Sequence, residues 1–175
     1  MLDEGLSSGA TWNLLAQQVL TLPYARHRPG EAGNWTSYDT WDGYRPARAR
    51  LVETIRRHHL TNVVIASGDF HRNFVGTLPE REEALDGKMA AVEFLATSIS
   101  SNGNGGELPG VERDLADNPH LKMINNFRGY HLFDITPKRW KTDVRTIDEV
   151  ETAGGKIRTL GTFVTTPDRP EVHRA

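Results

Sequence analysis

Asp69 and His71 are the two residues whose types and spacing best suggest chemistry, because they lie in the segment GDFH directly after an apolar stretch. Residues 63–66 are typical of a buried strand, and ligands of open α/β sheets collect where such strands end. Asp supplies hard oxygen ligands and His supplies a neutral imidazole nitrogen, so both side chains could reach one metal cluster. The alternative is a surface turn with an incidental histidine, and these residues alone leave both interpretations open.

Asn73 and Arg128 are candidates for binding a substrate beside that turn. Asn73 either orients a ligand or simply begins the alternating strand at 73–78. Arg128 either binds phosphate, whose oxygens match the guanidinium fork, or pairs with a carboxylate such as Asp134. The pattern around Arg128 by itself favours the structural pairing.

Asp42 is a third candidate for substrate binding, because it stands in a loop rich in acidic and aromatic residues. This loop, 24–44, either lines the mouth of a pocket or is pinned by burial of its aromatic rings, and the pattern favours the second. A second loop, 98–106, resembles an anion cradle but lacks the Gly-Lys-Ser/Thr ending of a P-loop, which favours a flexible connection. No Gly-x-Ser-x-Gly elbow occurs, which argues against a serine hydrolase.

Composition limits the classes of protein that these candidates can serve. The chain has 175 residues, enough for one domain with a real core, and its net charge of -2 gives no general attraction to nucleic acid or to an anionic membrane. No apolar run approaches the length of a bilayer span. Acidic residues stand where a signal peptide needs a basic region. The absence of cysteine excludes disulfides, cysteine-based zinc sites and a thiol nucleophile within this chain.

The elements that must position the candidates can be predicted from periodicity. Residues 11–22 are either one helix or a short helix to residue 14 followed by a strand over 16–23, and periodicity cannot decide. Pro46 suits the first turn of a helix over 45–60. Residues 111–126 show no clear pattern. Strands are predicted over 63–66, 73–78, 89–99, 129–136, 140–147 and, as the last one, 156–166. The final strands alternate as a half-solvated antiparallel meander should.

Several segments together resemble the C-terminal part of the PhoD-like alkaline phosphatases, which belong to the calcineurin-like metallophosphoesterase superfamily. The resemblance covers residues 10–150 and combines motifs that occur here in the family's order. They are TWNLLAQQV…YDTWDGYRPAR, SGDFHRNFVGTL, VEFLATSISSNGNG and NPHLKMINNFRGYHLFDITPKRWKTDVRTID. The superfamily more usually has Gly-His-x-His at the GDFH turn, and Asp69 is the variant of this branch.

The resemblance implies a fold, a site and an activity. The fold class would be α/β (α+β), a two-sheet sandwich flanked by helices, with metals at the strand ends and a closing antiparallel meander. Asp69 and His71 would be catalytic residues and metal ligands, the cofactors Ca²⁺ with Fe³⁺, and the substrates small phosphate monoesters and diesters. Members of the family are exported, so the absence of a signal here leaves the compartment open.

The departures from the family concern the first half of its catalytic domain. That half supplies an aspartate on the first strand, a tyrosine, a cysteine ligand to iron and an Asn-His/Asp-type motif, none of which has a counterpart here. We therefore expect residues 1–175 to form a single domain that corresponds to the C-terminal half, with the N-terminal half as its missing partner and edge strands left open. One alternative is a short but complete enzyme that binds metal through acids such as Asp39 or Asp42. Another is a non-catalytic β-rich binding module that contacts its partner through loops 24–44 and 98–106.

Overall fold

The computed structural model describes residues 4–5, 9–27 and 34–175. Two α-helices lie in this part of the chain beyond residue 9, α1 (Arg45–Arg57) and α2 (Val111–Asp117), and a 3-10 turn precedes α1 at Trp41–Tyr44. The strands are β1 (Asn13–Ala16), β2 (Arg26–His27), β3 (Asn34–Trp35), β4 (Val63–Ser67), β5 (Asn73–Pro79), β6 (Met89–Leu95), β7 (Leu121–Asn125), β8 (Arg128–Ile135), β9 (Trp140–Ile147), β10 (Ile157–Thr166) and β11 (Arg169–Arg174).

The first sheet has five strands in the order β1-β4-β6-β5-β7. Strands β1, β4 and β6 are parallel, and β5 and β7 run antiparallel to their neighbours. The carboxyl ends of β4 and β6 therefore lie at the same edge of the sheet. Because Asn73 at the start of β5 pairs with Asn125 at the end of β7, these two residues also lie at that edge.

The second sheet is an antiparallel meander in the order β11-β10-β9-β8, and β2 and β3 form a separate short pair. The predicted alternation on β9 is confirmed, since every second residue from Trp140 onward is buried. The prediction that the strand over 156–166 is the last one is wrong, because β11 follows it after a tight turn.

The two larger sheets pack face to face around an apolar core. The first sheet contributes Val64, Val92 and Phe94, and the second contributes Trp140 and Phe163, among others. Burial of a large apolar side chain stabilises a fold by about 1.5–3 kcal/mol. The predicted fold class, an α+β two-sheet sandwich that ends in a meander, is confirmed.

Helix α1 covers the opposite face of the first sheet. Its stripe of Leu51, Val52 and Ile55 is buried against that sheet together with other apolar residues of the chain. The predicted helix is confirmed, but it ends at Arg57 rather than at residue 60, because the chain enters the left-handed region at His59 with φ 52°. No helix of the described residues is both long and apolar enough to cross a bilayer.

Both predictions for residues 11–22 are wrong. The structure has no helix there, and its strand is β1 at Asn13–Ala16, earlier than the strand predicted over 16–23. Strand β1 pairs in parallel with β4, with Asn13 opposite Val63. This contact between residues fifty positions apart overrides the local helical period.

Other boundaries also differ from the predictions. Residues 111–126, which show no clear sequence pattern, contain α2 and β7, and β6 ends at Leu95 instead of continuing to 99. The loop 24–44 contains β2, β3 and the 3-10 turn, and its residues 28–33 lie outside the described part. The expectation of a single domain over residues 1–175 stays a prediction.

Candidate functional site

The predicted turn lies where five segments of the chain meet. It follows β4 at the carboxyl edge of the first sheet, next to the start of β5 and the end of β7. The loop after β6 and the start of β8 reach the same place, since the N–H of Gly129 donates to the carbonyl oxygen of Ser98 at 3.2 Å. The sheet order therefore brings the GDFH turn, loop 98–106 and Arg128 together.

The backbone of the turn is left-handed at both predicted ligands. The φ angle is 64° at Asp69 and 56° at His71, and the N–H of Phe70 donates to the carbonyl oxygen of Gly68 at 2.8 Å. Asp and His tolerate this region better than most residues. Both side chains are exposed, so the turn presents a carboxylate and an imidazole to solvent at the strand ends.

Arg128 supports this turn from the interior of the protein through hydrogen bonds to backbone carbonyl oxygens. Its side chain is only 1% exposed, and its Nη1 donates to the carbonyl oxygen of His71 at 3.0 Å while its Nε donates to that of Gly103 at 2.8 Å. Nη1 also reaches Thr97 Oγ1 at 3.3 Å and Asn126 Oδ1 at 3.2 Å. The carboxylate of Asp134 binds Arg139 instead, at 3.0 Å. Arg128 thus ties the GDFH turn to loop 98–106 through backbone oxygens.

Loop 98–106 fits closely against the segment before Arg128. Gly106 and Asn126 exchange backbone hydrogen bonds of 3.3 Å in both directions. Gly105 has φ +71°, and a Cβ there would lie 1.9 Å from the carbonyl oxygen of Asn126. Asn102 Nδ2 lies 3.5 Å from His71 Nδ1. The loop is therefore packed against the site, although its sequence favours a flexible connection.

Asn73 lies beneath the turn, fully buried. Its Nδ2 donates to Asn125 Oδ1 at 2.8 Å and to the carbonyl oxygen of Phe127 at 3.1 Å. Its Oδ1 lies 3.1 Å from His131 Nε2, which we take as the donor, and accepts from the N–H of Thr97 at 3.4 Å. Burial lowers the pKa of His131 to about 4, so this imidazole is neutral at physiological pH.

Asp42 lies in a different buried network. Its Oδ1 binds Arg48 Nη1 at 2.8 Å and its Oδ2 accepts from the N–H of Tyr24 at 3.1 Å. Arg48 is 1% exposed and also lies 2.7 Å from Glu82. Both oxygens of Asp42 are therefore engaged inside the protein, beside a cavity of about 420 Å³ that Tyr24, Arg48 and Glu82 help to line.

The described residues do not form a complete metal site. Asp69 and His71 supply one carboxylate and one imidazole, and within the described ranges no three or more His, Asp or Glu side chains cluster to hold an ion. Ca²⁺ takes about six to eight oxygen ligands, and catalytic zinc sites have about three protein ligands. An ion at this turn would therefore need ligands beyond these two side chains.

Sequence reasoning missed His131 and did not single out Asn102. His131 stands within a predicted strand and becomes a neighbour of Asn73 only through the packing of the two sheets. The sequence gives only a weak indication that Asn102 belongs to the site, namely that its polar, glycine-rich loop resembles an anion cradle. Its approach to His71 depends on how β6 and β8 bring that loop to the turn.

Comparison with known proteins agrees with this fold. A family model described as "PhoD-like phosphatase" matches residues 1–144. Alkaline phosphatase D of Bacillus subtilis (strain 168) is 37% identical over 165 residues, which cover 93% of this chain and 28% of that protein. A solved structure described as "Structure of PhoD" superimposes with a TM-score of 0.91 at 34% identity, over 99% of this chain and 33% of the other.

The chain has a two-sheet α+β fold with polar residues at the strand ends. This fold puts it in the same structural class as the solved PhoD structure. The chain belongs to the PhoD-like phosphatase family. The resemblance stated from its motifs is confirmed. The chain spans about a third or less of the length of the relatives that it matches.

Proposed function

We propose that this chain provides part of the catalytic site of a metal-dependent phosphoric ester hydrolase that acts on phosphate monoesters or diesters. Membership of the PhoD-like phosphatase family supports this activity, as does the similarity to a protein named alkaline phosphatase D. The physical support is the GDFH turn, which presents a carboxylate and an imidazole at the edge where the strands of the first sheet end.

The single observation that carries the proposal is the way in which this turn is held. Asp69 and His71 both have positive φ and exposed side chains, while the carbonyl oxygen of His71 is fixed by the buried Arg128 at 3.0 Å. An exposed surface turn with an incidental histidine needs no such support. A rigid backbone that directs two potential ligands outward is what a metal site requires.

The other predicted site residues have internal partners. Arg128 and Asn73 bond to backbone and side-chain groups around the turn, so we assign them to its support. Asp42 binds Arg48. Substrate contact by Asn73, Arg128 or Asp42 stays a prediction, as does a metal site built from Asp39 or Asp42.

We propose that Asp69 and His71 contribute two ligands to a metal cluster whose other ligands come from residues outside the described set. Ca²⁺ with Fe³⁺ are the ions that the family resemblance implies, and a carboxylate oxygen and an imidazole nitrogen suit such ions. A small phosphate ester is the proposed substrate, and export from the cytoplasm is the proposed localisation.

Metal binding by the chain itself is the first test. Calorimetric titration of Ca²⁺ into the purified chain should show weak binding, in the millimolar range expected when few ligands are present. Asp69→Asn and His71→Asn should each abolish it. Asp86→Asn, an exposed carboxylate in the β5–β6 turn at the opposite edge of the sheet, is the matched control and should leave it unchanged. Equal binding by all four proteins would contradict the assignment of the turn.

Turnover is the second test, in a chimera that supplies the rest of a catalytic domain. The matching 28% of the Bacillus subtilis alkaline phosphatase D is replaced by this chain, and hydrolysis of p-nitrophenyl phosphate and its diester is measured with added Ca²⁺. We expect activity in the chimera and in its Asp86→Asn variant, and loss of activity with Asp69→Asn or His71→Asn. A folded chimera without metal-dependent turnover would refute the proposed function.

A further inference from the structure

A buried carboxylate lies behind the site, in the central strand of the first sheet. Glu93 on β6 is fully buried. It lies opposite Ile65 of β4 and opposite Gly76 of β5. Removing a charge from water costs several kcal/mol unless hydrogen bonds compensate. A glutamate at this position therefore calls for a specific set of partners.

The partners of the Glu93 carboxylate are all hydrogen-bond donors. The N–H of Thr21 lies 3.0 Å from Oε1 and 3.1 Å from Oε2, and the N–H of Leu22 donates to Oε2 at 2.9 Å. The hydroxyl of Ser67 donates to Oε1 at 2.5 Å. An ionised carboxylate accepts and cannot donate, so these contacts match the charged form.

The same segment is held from its other side by the WDGY motif. The carbonyl oxygen of Thr21 accepts from Arg48 Nη1 at 3.1 Å, and Arg48 binds Asp42 of that motif at 2.8 Å. The Thr21 residue is therefore fixed at its N–H by Glu93 and at its carbonyl by Arg48. Asp42, Arg48, Thr21, Glu93 and Ser67 form one continuous chain of buried or half-buried contacts, which we name the buried relay.

The buried relay ends next to the GDFH turn. Ser67 is the last residue of β4, and Gly68 follows it. The N–H of Gly68 donates to the carbonyl oxygen of Gln18 at 3.0 Å, and the N–H of Gln17 donates to that of Ala66 at 3.0 Å. The segment that Glu93 fixes is therefore the one to which the start of the turn is bonded.

We propose that Glu93 is a positioning residue whose ionised carboxylate fixes segment 17–22 against the end of β4 and thereby sets the backbone of the GDFH turn. This role is independent of the proposed phosphatase activity, because it concerns the order of the turn and not turnover. It also gives the WDGY motif a function at a distance from the turn.

Ionisation of Glu93 makes the arrangement sensitive to pH. Burial raises the pKa of Glu93 to about 7, against the opposing effects of the Ser67, Thr21 and Leu22 hydrogen bonds and of the Arg48 charge. Below that pH one carboxyl oxygen carries a proton, so the hydrogen bond with Ser67 must reverse or break. Because the pKa is raised in the folded state, Glu93 stabilises the fold most below about pH 4.5 and loses that contribution as pH rises through about 7. The ordered turn at alkaline pH is thus held at a cost in stability.

Nuclear magnetic resonance of the whole chain, free of metal, tests the proposal. The Glu93 carboxyl carbon and the amide signals of Thr21, Leu22 and Gly68 are followed from pH 5 to pH 9. A His71→Ala background removes the imidazole nearest to the turn. We expect one shared midpoint near pH 7, which Glu93→Gln abolishes and Glu83→Gln, an exposed carboxylate at the opposite edge of the sheet, leaves unchanged.

If Glu93→Gln does not fold, measurements on the Ser67→Ala variant and on the parent protein still test the proposal. Ser67→Ala removes one donor to the charged form and should raise the Glu93 midpoint by about one pH unit. The Gly68 signal should follow the shifted midpoint, because Thr21 and Leu22 keep their hydrogen bonds to Glu93. A Glu93 midpoint near 4.5 in the parent, or a Gly68 signal that does not follow Glu93, would overturn the proposal.

Discussion

Replacement of Arg128 by alanine should destabilise the protein far more than replacement of an exposed arginine in the turn that follows the same strand. The guanidinium of Arg128 is buried and makes four hydrogen bonds, of which those to Gly103 and His71 are the short ones at 2.8 and 3.0 Å. Hydrogen bonds to a charged group contribute about 1.5–3 kcal/mol each. The two short bonds alone therefore give a loss of about 3–6 kcal/mol, or a fall in Tm of about 10–20 °C for a domain of this size.

Arg139→Ala is the matched control for this prediction. Arg139 binds Asp134 at 3.0 Å, but its side chain is 51% exposed, and exposed ion pairs contribute about 0–1 kcal/mol. Urea unfolding followed by the fluorescence of the four tryptophans measures both variants, and Arg128→Lys should fall between them because a single ammonium cannot reach all four acceptors. A loss below about 1 kcal/mol for Arg128→Ala, against the 1.5–3 kcal/mol expected of each short bond, would refute the assignment of Arg128 as the support of the turn.

Acid should destabilise the fold, because burial lowers the pKa of His120 and of His131 to about 4. The unfolded chain takes up these protons from about pH 6.5 downward, so the free energy of unfolding should fall between about pH 6.5 and pH 4. Unfolding curves at pH 7 and pH 5 check this, and an unchanged midpoint would contradict it. Glu93, whose pKa is raised, titrates in the opposite sense, so Glu93→Gln should steepen the decline. Gly76→Ala should lower stability by about 1–3 kcal/mol, since its Cβ would lie 2.9 Å from Leu22 Cδ1. A Gly76→Ala variant with the same free energy of unfolding as the parent protein would contradict this prediction.

Secondary-structure elements that depend mainly on residues close to them in the sequence were predictable. Strand β9 shows a clean alternation, and the apolar run before GDFH correctly predicts β4 and a turn at its end. Helix α1 follows from an apolar stripe and Pro46. In each case the pattern that determines burial lies within a window of about ten residues, which is the range over which periodicity carries information.

Elements that depend on distant partners were not predictable. Strand β1 forms because it pairs with β4, and β7 because it pairs with β5, although neither has a strong pattern of its own. The partners of Arg128 include two backbone carbonyl oxygens, at His71 and Gly103, and a backbone oxygen leaves no trace in the side-chain sequence. For the same reason, the sequence does not predict that loop 98–106 lies against the turn.

The strain in the GDFH turn explains why so much buried structure surrounds it. A residue other than glycine in the left-handed region costs on the order of 1 kcal/mol or more and persists only where its surroundings determine it. Asp69 and His71 are both in that region, and the turn between them is fixed by Arg128 from one side and by the segment bound to Glu93 from the other. The backbone of the turn is therefore ordered before any ion arrives. A metal ion that takes its remaining ligands from elsewhere would not have to order these residues when it binds. This preorganisation would increase its affinity for the turn. The buried relay and Arg128 contact neither proposed ligand side chain, yet on this reasoning their loss should weaken metal binding.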